Sequence, residues 1–237
     1  MGFSTQLKGV RRWVLVLVLG LGLGCAGGAT RMGLDYFSAP EPGDPWSRKI
    51  EGWQARQVAA DGRAGPRAQR SRELSAAAPP AVASGSSLGR EYASFRSDQR
   101  RGLARSVADW IQAEAARHYR EDGPVDHWAT LQETLKQGGD DCDGLELLVY
   151  NALLDLGFRR DEVFRAVVFR RSDGQHHMVT FWFEDAEDPW VIDPTGAMTT
   201  GMPRMSDLPE WAPLRVFSET RDFVVRPAHA AELDTPS

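Results

Sequence analysis

"GGDDCDGLELLVYNALLDLGF" (residues 138–158) decides the fold, because it sets one cysteine among aspartates at the mouth of an apolar helix. Leu145, Leu148, Val149, Ala152, Leu153 and Leu156 recur at helical spacing, and Leu147 and Leu154 fall on the other side. A helix apolar most of the way round is a central, buried one. Asp140, Asp141 or Asp143 can cap its start, and Gly157 ends it. Cys142 therefore stands within one turn of a helix N-terminus. The helix dipole there favours a thiolate, while the neighbouring carboxylates oppose it.

Upstream, "RRGLARSVADWIQAEAARHY" reads as an amphipathic helix with Leu103, Val107, Trp110 and Ile111 on its apolar face. "WATLQETLKQGG" reads as a short helix stopped by two glycines. Downstream the period changes. "EVFRAVVFR" is rich in β-branched and aromatic residues, "SDG" turns, "HHMVTFWFE" alternates, and "WVID" follows a second turn. "LRVFSE" and "FVVRP" are two further strands. Helices first and an antiparallel sheet second predict an α+β domain.

A hairpin centred on Asp185 pairs Phe181 with Pro189, Val179 with Val191 and His177 with Asp193. Opposed residues share a sheet face about 5 Å apart, so imidazole and carboxylate would lie side by side. A one-residue slip brings up His176 instead. A thiol at a helix N-terminus and a histidine oriented by a carboxylate are the parts of a nucleophilic site: the imidazole takes the thiol proton and the carboxylate fixes the ring.

The 237 residues suffice for one good-sized domain and a less compact region. A net charge of −5 gives no reason to expect a nucleic-acid partner. Residues 1–25 read as an export signal: Lys8, Arg11 and Arg12 precede the apolar run "WVLVLVLGLGLG", which is shorter than the roughly 20 residues of a membrane span. The run stops at Cys25. Small residues leading into a cysteine resemble a bacterial lipoprotein signal, with Cys25 as the acylated residue, although Gly22 stands where leucine is usual. The expected location is the cell envelope, lipid-anchored and facing the periplasm. With Cys25 acylated or removed, Cys142 has no internal disulfide partner, which in an exported chain points to an intermolecular bridge or a free reactive thiol. Residues 26–88 are expected to be an Ala/Pro/Gly/Ser-rich linker, 89–228 the folded domain and 229–237 a tail.

The ordered set "DHWATLQETLKQGGDDCDGLELLVYNALLDLGF", "HHMVTFWFE" and "WVIDPTG" resembles the bacterial transglutaminase-like cysteine peptidases, a branch of the papain-like superfamily. The resemblance spans about residues 95–225. It implies a papain-like core with Cys142 as nucleophile, His177 as base and Asp193 as orienting acid. It also implies a protein or peptide substrate, and calcium held by the acids flanking the cysteine, here Asp141 and Asp143. Trp128 matches a tryptophan that often precedes the cysteine helix. The oxyanion hole needs a donor besides the Cys142 N–H, for which Gln137 and the Trp128 indole are candidates. The chain departs from the family at two positions: Asp140 replaces a glycine, and Gly144 replaces an acid. Acyl transfer to an amine, and a non-catalytic lipoprotein binding metal or a partner through Cys142, His176, His177 and Asp193, are the alternatives to hydrolysis.

Overall fold

The computed structural model describes residues 33–64 and 86–228. The expected export signal, Cys25, the stretch 65–85 and the tail 229–237 lie outside them. No helix among the described residues is long and apolar enough to cross a membrane.

The fold is α+β. The elements run β1 (Leu34–Ser38), α1 (Pro45–Ala64), α2 (Ser87–His118), α3 (Leu131–Gln137), α4 (Cys142–Asp155), then β2 (Val163–Arg170), β3 (His176–Trp182), β4 (Trp190–Ile192), β5 (Trp211–Phe217) and β6 (Asp222–Pro227). The strands form one antiparallel sheet in the order β1-β6-β5-β2-β3-β4. Helix α4 packs across β2 and β3, and α2 packs on α4. Leu145, Val149, Tyr150 and Leu153 of α4 are fully buried, as its all-round apolar pattern requires. Asp141 is its N-cap, accepting the Asp143 N–H at 3.1 Å, and Gly157 follows its end at φ 88°.

Two elements stand where the linker 26–88 was expected. Strand β1 extends the sheet on β6, and α1 buries Ile50 and Trp53 against Trp128, Leu147, Val167 and Phe217. Asp44 caps α1 by accepting the N–H groups of Trp46 (2.8 Å) and Ser47 (3.2 Å), with Pro45 at the first helical position. A second difference lies in α2. It buries Ala104, Val107, Ala108, Ile111 and Ala115, while Leu103 and Trp110 are 42% and 46% exposed. Val107 and Ile111 face the core as expected, together with three alanines, and Leu103 and Trp110 do not.

Candidate active site

Cys142 is the first residue of α4 and lines a cleft of about 160 Å³ with Trp46, Lys49, Trp128, His176 and His177. The Met178 N–H, one residue beyond His177, donates to its sulfur. Burial, then the charge of Asp141, pushes the thiol well above the ordinary range, and that hydrogen bond opposes the shift without reversing it.

His177 Nε2 donates to Asp193 Oδ1 at 2.8 Å, in a site where His177 is 8% exposed and Asp193 fully buried. The expected hairpin register is corrected here. Thr180 pairs with Ile192, Phe181 with Val191 and Trp182 with Trp190, so the ladder is displaced by two residues from the one expected. A shift of two preserves the sheet face. His177 and Asp193 thus meet as diagonal neighbours, still within reach of an imidazole. Burial would raise the Asp193 carboxyl, but the His177 bond and charge and the N–H groups of Thr195 and Thr199 outweigh it and hold it below the usual range. Thr195 Oγ1 donates to Oδ1 (3.0 Å) and the Met198 N–H to Oδ2 (2.6 Å). Gln112 of α2 donates to the Asp193 carbonyl at 2.9 Å and accepts from the Gly201 N–H at 3.1 Å, so α2 fixes the loop that carries the carboxylate.

The carboxylates beside the thiol are gathered. Asp140, Asp141 and Asp143 each offer an oxygen, all within 4.8 Å of one another, and this is the only such group of three or more among the described residues. Both oxygens of Asp143 are buried without a hydrogen-bond partner. Burial, then Asp141, pushes its carboxyl up to about 10. Burial also raises Asp140, against hydrogen bonds from Thr134 Oγ1 (3.0 Å) and the Asp141 N–H (3.0 Å). Asp141 and Asp143 are the expected pair, and Asp140 lies with them. A Cβ on Gly144 would lie 2.1 Å from Asp140 Oδ2 and 2.3 Å from its Cβ. The Asp140 carboxylate occupies the space of a side chain at 144.

Beneath the cluster runs a buried ion pair that the sequence did not announce. Arg165 Nε donates to Glu146 at 2.5 Å and Nη2 to the Asp143 carbonyl at 2.8 Å, with both side chains fully buried. The guanidinium lies 4.3 Å from the Trp53 ring centroid, and Thr180 Oγ1 donates to Glu146 at 2.6 Å. The sheet thereby grips the first turn of the cysteine helix.

Of the remaining expected residues, Trp128 is buried at the cleft and stacked on Phe217 (5.6 Å, 11°). Gln137 is exposed at the end of α3, outside the cleft lining, and its carbonyl accepts from Arg120. His176 is exposed with its ring against Trp46. Cys142, His176, His177 and Asp193 do not form a metal cage. Trp46 and Lys49 lie in α1, inside the stretch expected as linker.

No family model matches the chain, and no curated protein does. Among solved structures it is similar to calcium-bound LapG of Legionella pneumophila, at 19% identity over 52% of this chain and 67% of that one, with a TM-score of 0.45. Two further Legionella pneumophila LapG structures, one of them EGTA-treated, are similar at 16% identity and a TM-score of 0.46; both span 75% of this chain, against 86% of the first and 84% of the EGTA-treated one.

Proposed function

We propose that the chain is an exported thiol hydrolase with a transglutaminase-like core, cleaving a peptide or amide bond in a protein substrate. The observation that carries the reading is the buried His177–Asp193 hydrogen bond opening on the cleft that holds Cys142. With Nε2 committed to Asp193, Nδ1 takes the thiol proton and the imidazolium then holds the thiolate. The thiolate attacks the carbonyl carbon, forming a C–S bond, and the imidazolium returns the proton to the departing amine. Water, deprotonated by the same nitrogen, then splits the thioester and restores the thiol. The Cys142 N–H and the Trp128 indole are the oxyanion donors in this reading.

Asp140, Asp141 and Asp143 are assigned to hold a calcium ion. All the donors are hard oxygens, and both oxygens of Asp143 are buried without a hydrogen-bond partner, which leaves them available to a cation. When bound, the ion supplies positive charge that cancels the carboxylate field at the thiol. Cys25 is assigned as the acylated residue that ties the chain to the membrane.

p-Nitrophenyl acetate tests the reaction type. With calcium present, a burst of about one p-nitrophenol per chain and an acetyl group on Cys142 by mass spectrometry are expected, both lost in His177→Ala. Acetylation confined to lysines would sink the hydrolase reading.

A further inference from the structure

We infer that α2 is a self-association surface on which a second copy of this chain packs in parallel. Helix α2 is 32 residues long, yet its buried positions all fall between Ala104 and Ala115. Its outer face carries Leu88 (73% exposed), Tyr92 (50%), Phe95 (60%), Leu103 and Trp110. At 3.6 residues per turn these five fall within about 80° of one another, forming a stripe about 33 Å long. They are five of the eleven large apolar side chains exposed among the described residues, so the solvent-facing apolar surface is concentrated on one helix. Beside the stripe, Phe95 and Leu103 meet Leu156 and Phe158 across a groove of about 300 Å³, a concave seat for a packed helix.

The charges on the two flanks identify the occupant. Glu91 lies along one edge of the stripe and Arg96 along the other, with Asp98 and Arg100 beside them already ion-paired to Arg101 and Glu162 of the same chain. Leu88, Tyr92, Phe95 and Gln99 follow the 4-3-4 spacing of a coiled-coil seam, which places Glu91 and Arg96 at flanking positions five residues apart. In a parallel pair, Glu91 of each copy faces Arg96 of the other, on both sides of the seam. An antiparallel pair would set each flank against its own kind. A lipid surface fits poorly, since helices lying on membranes carry Lys and Arg along the polar face, and here one edge is acidic. The seam covers only the exposed half of one helix and the groove, so a weak, concentration-dependent dimer is expected.

Sedimentation of the full exported chain at about 5 to 200 µM tests the inference. The unchanged chain is expected to pass from monomer to dimer over that range. Phe95→Glu is expected to remain monomeric throughout, with an unchanged circular dichroism spectrum. Glu91→Arg and Arg96→Glu, made singly, are each expected to weaken the dimer at least about tenfold, and the double exchange to restore it to within about threefold. Restoration by the pair is the result that a misfolded variant cannot imitate. A monomer at every concentration overturns the inference, as does a double exchange no better than the singles. Phe95-dependent binding to phosphatidylglycerol vesicles without dimerisation would assign the stripe to lipid instead.

Discussion

Arg165→Ala is expected to destabilise the domain by about 3–5 kcal/mol, the cost of leaving a buried charge without its partner. For a domain of this size that is a fall in Tm of roughly 10–15 °C. The reasoning follows from the site. Glu146 and Arg165 are both wholly inside the protein. Burial raises the Glu146 carboxyl and the Arg165 charge opposes that rise, so removing the guanidinium leaves the acid with Thr180 alone. The Asp143 carbonyl loses a donor in the same step, at the turn that bears Cys142. Arg165→Met combined with Glu146→Leu is expected to recover most of the loss, since replacing both partners by apolar groups removes the orphan. Thermal melts of the three proteins check this. An Arg165→Ala protein melting within two or three degrees of the parent would show that the pair carries little.

Calcium is expected to raise the reactivity of Cys142 at pH 7 about a hundredfold by favouring its thiolate. Chelation with EGTA is expected to reverse the gain. The geometry underlying this is the buried, unpartnered Asp143 beside Asp140 and Asp141. The linkage has a definite sign. With its folded pKa raised to about 10 against an unfolded value near 4, Asp143 keeps a proton that the unfolded chain releases. The native state then binds more protons, so the cation-free protein loses stability as pH rises between those values. Calcium replaces that proton and removes the dependence, so its increment in Tm is larger at pH 8 than at pH 5. Asp143→Asn is expected to abolish the calcium response while stabilising the cation-free fold. Identical melts with calcium and with EGTA at pH 8 would contradict the assignment.

Much of the architecture is legible in the sequence because period and burial coincide. The all-round apolar pattern of 145–156 reads as a central helix, and 176–184 reads as a strand, which the fold buries on both faces from His177 to Phe183 rather than on one. Register was less legible. It depends on the length of the loop between Trp182 and Trp190, and a hairpin centred on Asp185 lies one residue early. His177 and Asp193 still met, because that error moved the ladder by two and kept the face. Helix α1 was missed although its signals are present: Asp44-Pro45 opens it, and Trp46, Ile50, Trp53, Gln57 and Ala60 repeat at alternating spacings of four and three. The surrounding Ala, Gly and Arg content masked that stripe. Arg165, Glu146 and Gln112 carry no local signal at all. Each matters through a partner 19 or more residues away, and only the packed fold brings those together.

The most direct test of the Cys142–His177–Asp193 site is the iodoacetamide alkylation rate of Cys142 against pH, with calcium, in the parent and in His177→Ala. The parent is expected to keep a fast rate down to about pH 5, as a thiolate held by an imidazolium does. His177→Ala is expected to fall about a hundredfold at pH 6 and to recover only as pH passes the ordinary thiol range, near 8.5. Two superimposable profiles, both rising near pH 8.5, would contradict the account and leave Cys142 an ordinary buried thiol.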